Sequence, residues 1–99
     1  MTNLDYALTE TEPGTEPTDE KRIELWIINR VARELAINPA EIDAKTPFSR
    51  YGLDSVAAVQ VVSDLERYLA VDLSPTLPYE FPTAQELAAH LSSIRRTKA

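Results

Sequence analysis

Cysteine is absent from the chain, which excludes disulfides, thiolate metal sites and cysteine nucleophiles. Histidine occurs once, as His90 beside alanines in the last apolar-periodic segment, and reads as a partly exposed surface side chain. One histidine without cysteine gives no recognisable zinc spacing. Only two glycines occur, Gly14 and Gly52, so there is no glycine-rich phosphate loop. Bases are scarce too: ten Lys and Arg stand against sixteen Asp and Glu, for a net charge of −6. That balance argues against nucleic acid as a partner, because phosphate contacts need a basic surface. A basic or neutral protein suits it better. No apolar run approaches the roughly 20 residues needed to cross a bilayer. The first ten residues, MTNLDYALTE, lack the basic start and continuous apolar block of a secretion signal. A soluble, cytoplasmic chain without membrane insertion is expected. Acid pairs such as Asp64/Glu66 and Glu10/Glu12 read as solvated charge, not as an acid/base dyad. A domain this small also offers little room for a deep pocket of about 300 Å³ or more. Neither a catalytic residue nor a metal site is expected.

What is present is one small domain's worth of sequence, 99 residues with 43% hydrophobic content. A chain of that length buries only about 60% of its unfolded surface, and helices with short loops use that economically. Residues 9–20, TETEPGTEPTDE, hold five acids, two prolines, a glycine and no base, too little apolar surface to offset the entropy of ordering. Residues 1–17 are therefore read as a flexible acidic leader. Leu4, Tyr6 and Leu8 within it would suit a docking peptide, a disordered tail being the plainer reading. The folded domain is placed at 18–96, with 97–99 as a tail.

Thr18 has the character of an N-cap, with Asp19 and Glu20 where the helix dipole favours negative charge. Ile23, Ile27, Val31 and Leu35 recur every four residues, with Ile28 and Ala32 widening the stripe, which predicts an amphipathic helix ending near Ala36. Trp26 falls off that stripe, on the side of Arg30 and Arg33, and reads as packing under a loop or at a rim. A long connection follows, INPAEIDAKTPFSRYGLD, of a length that is often functional. Ile42, Phe48 and Leu53 are spaced to pin it onto a core, and one helical turn suits Pro39 to Ile42. From Ser55 the helical period returns. Ala58, Val61, Val62, Leu65 and Leu69 share one face, while Val56, Val59, Gln60, Ser63 and Arg67 lie on the other. Residues 71–82 hold three prolines and carry at most a short turn. Thr83-Ala84-Gln85-Glu86 reads as a capping box opening a last helix with core residues Leu87, Ala88, Leu91 and Ile94. The fold class is all-α: a small four-helix bundle of three longer helices and one short one, with a long first loop.

Gly-Leu-Asp-Ser at 52–55 stands where that loop meets the second long helix. Asp or Ser before an apolar-periodic run is a common N-cap, and Gly52 suits a left-handed turn. The competing reading is a presented hydroxyl. Ser55 has no base in this sequence to make it a nucleophile in its own right, and Val56 and Val59 beside it form an outward surface that another protein can read. A partner enzyme would then bring the base and the metal.

Residues 22–92 resemble the acyl carrier proteins of the phosphopantetheine-binding family. GLDS is similar to that family's attachment motif, and PAEIDAKTPFSRYGLDS upstream and SPTLPYEFPTAQELAAHL downstream match its pattern in spacing and character. The resemblance implies that Ser55 takes 4'-phosphopantetheine from coenzyme A through a phosphopantetheinyl transferase, with Asp54 orienting Ser55 and the transferase's metal site. It also implies an acyl group carried as a thioester, a turn near Leu77 to Glu80 flanking the arm, and no catalysis by the chain itself. Leu53, Val56, Val59, Gln60, Ser63 and Arg67 become the partner contacts. The motif departs from the family at Val56, where leucine is commonest. Carriers of fatty acid synthesis bear acids where this chain has Ala57, Gln60 and Arg67, so it resembles more closely the carriers paired with fatty acyl-AMP ligases. The implied role is a free-standing, monomeric acyl carrier. It would be loaded by such a ligase and used by a polyketide synthase ketosynthase or an acyl-modifying enzyme such as a desaturase. A peptidyl carrier of nonribosomal peptide synthesis and an unmodified helical adaptor are the alternatives.

Overall fold

A computed structural model describes residues 18–98, and the expectations for residues 1–17 lie outside them. Four α-helices and two 3₁₀ turns make up the described residues: α1 Asp19–Leu35, the turns Pro39–Glu41 and Phe48–Tyr51, α2 Ser55–Leu69, α3 Leu77–Glu80 and α4 Ala84–Lys98. The all-α expectation holds.

α1 begins as the sequence indicates. The Thr18 side chain accepts from the Lys21 backbone N–H at 3.0 Å, satisfying one of the unpaired first-turn donors. Its last residue is Leu35, and Ala36 closes it in the left-handed conformation, with its N–H on the Ala32 and Arg33 carbonyls. Ile23, Ile27 and Val31 are wholly buried, Ile28 and Ala32 nearly so. The α1 stripe packs most extensively on α4, where Leu87, Ala88 and Leu91 are buried. Each fully buried Val, Leu or Ile side chain among them contributes about 1.5–3 kcal/mol by leaving water. α2 joins the core shared with α1 through Val61, Leu65 and Leu69, and the single-turn α3 lies against α2.

Thr83 caps α4, its hydroxyl accepting from the Glu86 N–H at 3.1 Å. The helix then runs to Lys98, past the boundary expected at 96. Buried Ser92 was not anticipated. Two expectations need correcting. Asp64 and Glu66 are not simply solvated. Arg30 of α1, itself buried, donates from Nε to Asp64 at 2.6 Å and from a terminal nitrogen to Glu34 at 2.9 Å. Arg67 also binds Asp64, and Glu66 accepts from the Leu73 backbone N–H at 2.8 Å. Tertiary packing brings Arg30 to a carboxylate 34 positions away, which no local pattern announces. Trp26, read as lying under a loop or at a rim, stacks on Tyr68 of α2, ring centroids 4.9 Å apart and 10° from parallel. His90 is partly exposed, as read, and stacks on Phe81 at 4.2 Å.

Candidate functional site

The long connection is held in place by more than its apolar pins. Ile42 and Phe48 are buried and Leu53 half-buried, as the spacing implied. The backbone adds tethers that the sequence did not reveal: Phe48 N–H to the Pro82 carbonyl at 2.8 Å and Gln85 N–H to the Ala44 carbonyl at 2.9 Å. The Tyr51 hydroxyl accepts from the Asp43 N–H at 2.8 Å. These bonds fix the loop to the α3–α4 link, so that its final residues arrive at α2 in one orientation. Gly52 supplies the last change of direction at φ +83°, a conformation that a Cβ disfavours. A Cβ there would meet nothing within 4 Å, so glycine is required for its backbone freedom alone.

Asp54 is the N-cap of α2, its carboxylate accepting from the Ala57 N–H at 2.8 Å. Ser55 is therefore the first helical residue, not the cap. Its side chain is exposed, and no described residue hydrogen-bonds its hydroxyl. The two readings of Gly-Leu-Asp-Ser thus divide between neighbours: Asp54 does the capping and leaves the serine hydroxyl uncommitted. Asp54 makes no hydrogen bond to Ser55 among the described residues, so any orienting of Ser55 acts through the helix start that it caps.

One apolar hollow includes Ser55, and a second is lined by its chain neighbours Leu53 and Ala58. On the outer side of α2, Ser55, Val56, Val59 and Gln60 line an open hollow of about 330 Å³. Val56 is 68% and Val59 47% exposed. On the inner side, Phe48, Leu53, Ala58, Pro78 and Tyr79 enclose a smaller hollow of about 160 Å³. The expected outward set separates accordingly. Val56, Val59, Gln60, Ser63 and Arg67 are exposed, whereas Leu53 is half-buried and faces the inner hollow. Ala57, one of the positions where acids are missing, is only half-exposed. Tyr79 belongs to the Leu77–Glu80 turn expected beside the arm, and Ala58, read only as a core residue, lines the inner hollow with it. A larger and more polar hollow, about 450 Å³, lies at the other end of α2 beside Glu66, Arg67 and Asp72 and does not include Ser55.

The arrangement presents a hydroxyl to another molecule. An exposed hydroxyl without an intramolecular partner stands at the N-terminus of a 15-residue helix, where the dipole favours an anionic group. Apolar surface from Val56 and Val59 adjoins it on the outer side of α2. Nothing in the described residues activates the hydroxyl, no group of acids or histidines there is arranged to hold a metal, and no described helix is long and apolar enough to cross a membrane.

Comparison with known proteins agrees with that geometry. A family model described as a phosphopantetheine attachment site matches residues 25–91. Polyketide synthase PksL of Bacillus subtilis is 31% identical over 68 residues, 69% of this chain and 2% of that protein. Polyketide synthase PksM of the same organism is 34% identical over 74 residues, 75% of this chain and 2% of that protein. The chain thus spans only about 2% of the length of these relatives. Among solved structures, a free-standing peptidyl carrier protein from an Acinetobacter baumannii secondary metabolic pathway superimposes with a TM-score of 0.75 and 38% identity, over 77% of this chain and 95% of that one. The HMG-ACPI domain of the CurA module from Lyngbya majuscula gives a TM-score of 0.78 at 23% identity, covering 88% of each chain, and bears on the fold alone.

Proposed function

This chain belongs to the phosphopantetheine-attachment carrier family, and from that premise we propose that it bears the arm on Ser55 and carries a fatty acyl group for polyketide assembly. The family's cofactor is covalent 4'-phosphopantetheine, and the two sequence relatives described above are polyketide synthases. The observation that carries the assignment to Ser55 is the exposed, unbonded hydroxyl at the start of α2, with Asp54 already serving as cap. Ser55 Oγ is the nucleophile. Its oxygen bonds to the pantetheine-bearing phosphorus of coenzyme A as the pyrophosphate P–O bond breaks, adenosine 3',5'-bisphosphate leaves, and the serine proton passes to a base on the transferase. The bound group supplies the thiol that this chain lacks and holds cargo as a thioester.

The protein's own residues present and orient. Gly52 and the tethered loop deliver Ser55 to the surface, and Asp54 holds the first turn of α2. Val56, Val59, Gln60, Ser63 and Arg67 form the face that partners read. That face is apolar and neutral with one exposed cation. It suits a fatty acyl-AMP ligase and a polyketide ketosynthase in place of enzymes that recognise an acidic helix through basic patches. An acyl-modifying enzyme such as a desaturase would read the same face. The likeness to a free-standing peptidyl carrier favours a second reading, in which the cargo is an amino acid.

Intact mass decides both levels. Incubation with coenzyme A and a broad-specificity phosphopantetheinyl transferase should add one phosphopantetheinyl group to the wild type and none to Ser55→Ala. No gain on the wild type, or a gain that survives the substitution, refutes the assignment. The modified protein should then accept a fatty acyl group from a fatty acyl-AMP ligase. Loading by an amino-acid adenylating enzyme alone would establish the second reading instead.

A further inference from the structure

α1 and the second half of α2 share an outward face that the carrier role leaves unused. At its centre is the stack of Trp26 on Tyr68. Tyr68 is 43% and neighbouring Leu25 45% exposed. A depression of about 230 Å³, lined by Trp26, Asn29, Arg30 and Arg33, opens beside the stack. Arg30 is committed to Asp64 and Glu34. Arg22 and Arg33, four positions before and seven after Trp26, share its side of the helix, are exposed, and enter no ion pair among the described residues. The face therefore sets uncompensated positive charge around exposed aromatic surface, in a chain whose net charge is −6. Tyr68 lies 13 positions beyond Ser55, about 20 Å along the helix axis. Covering this face leaves the Ser55 end of α2 open.

We propose that residues 1–17 of the same chain cover this face. Leu4, Tyr6 and Leu8 would meet the Trp26–Tyr68 stack and its depression, and Asp5, Glu10, Glu12 and Glu16 would oppose Arg22 and Arg33. The segment has the complementary chemistry: four acids, no Lys or Arg, and its leucines and tyrosine gathered within residues 4–8. It joins the domain at Thr18, the cap of α1. Residues 9–17 can span about 30 Å when extended, whereas Trp26 lies only about 12 Å along α1 from its cap. Pro13-Gly14 is a turn-forming pair placed to reverse the chain along that helix. Tethering supplies an effective concentration in the mM range, so contacts too weak to hold a separate peptide suffice. Opposed charges on an exposed surface are screened by salt, and the clasp is accordingly salt-sensitive.

Trp26 is the chain's sole tryptophan, so its fluorescence reads this face directly. Acrylamide quenching would be compared in the full chain, in the full-chain triple variant Leu4→Ser/Tyr6→Ser/Leu8→Ser, and in Arg33→Glu, with circular dichroism confirming equal helicity. At low salt the wild-type quenching constant should be at least about twofold below those of both variants, as expected if the tethered form is mostly closed. It should approach theirs in 0.5 M NaCl. Equal quenching in all three proteins at low salt overturns the proposal. Protection that strengthens with protein concentration also overturns it, since a second copy would then be the occupant.

Discussion

Asp54 and Ser55 are adjacent in the chain and differ in what their side chains do. The Asp54 carboxylate satisfies the Ala57 N–H in the first turn of α2; the Ser55 hydroxyl satisfies nothing within the described protein. Asp54→Ala should therefore lower stability by about 1 kcal/mol, the usual worth of an N-cap side chain. Ser55→Ala should change stability by less than about 0.5 kcal/mol, as surface substitutions away from special contacts do. Urea denaturation of the two variants measures both. Equal losses would mean that the hydroxyl has a structural role after all. Gly52, the one glycine among the described residues, acts at the same scale. It permits a left-handed turn one step before Leu53 swings inward and Ser55 outward.

Each helix has its own reason for lying where it does, and for α2 that reason differs between its two sides. The inner side is aliphatic. The edge toward α1 is held by Arg30, Asp64 and Arg67. Burial opposes the charge on Arg30, but its hydrogen bonds to Asp64 and Glu34 outweigh that and hold its pKa above the ordinary value. Hydrogen bonds from Arg30, then Arg67, hold Asp64 below the ordinary carboxylate range. A carboxylate whose pKa is depressed on folding stabilises the fold above its unfolded pKa and loses that contribution as pH falls through the folded value. Asp64→Asn should thus be less stable than wild type at pH 7. The gap in urea midpoint should close as the pH falls from about 5 toward 2. A gap constant across that range would mean that the pair contributes nothing through charge. On the outer side, Val59 is exposed beside the Ser55 hollow. Val59→Asp should reduce acyl loading at least tenfold, about 1.4 kcal/mol, with the far-ultraviolet dichroism unchanged. Normal loading would show that the loading enzyme docks elsewhere.

At the scale of the molecule, one aliphatic core joins α1 to α4 and carries α2 on its flank. Leu91 is almost fully buried in it. Leu91→Ala should cost about 2–5 kcal/mol, a large share of the roughly 5–15 kcal/mol that holds a domain together. Its urea midpoint would show the loss, and the rate of arm attachment in conditions where it remains folded should match wild type, because Ser55 is positioned by the loop and α2. The division suits a carrier. Burial is concentrated between α1 and α4, whereas Val56, Val59 and Tyr79 leave exposed apolar surface on the outer side of α2 and on α3.

The sequence alone determined the helices, because their signals are local. Four-residue periodicity placed the buried stripes of α1 and α2, and Thr18 and Thr83 marked two starts where a side-chain oxygen can answer an unpaired N–H. It also singled out Ser55, since a chain without cysteine and with a distant single histidine leaves that hydroxyl nothing to activate it. Tertiary structure decided the rest, because the deciding contacts join residues far apart in the chain. The choice of Asp54 over Ser55 as cap is the local exception, a carboxylate answering an N–H three residues on, which the residue types alone left open. The turning of Leu53 inward toward Pro78 and Tyr79, the bonding of Asp64 to Arg30 and the stacking of Trp26 on Tyr68 depend on which helix faces which. Periodicity tells a side chain whether to seek cover; the arrangement of helices determines what covers it.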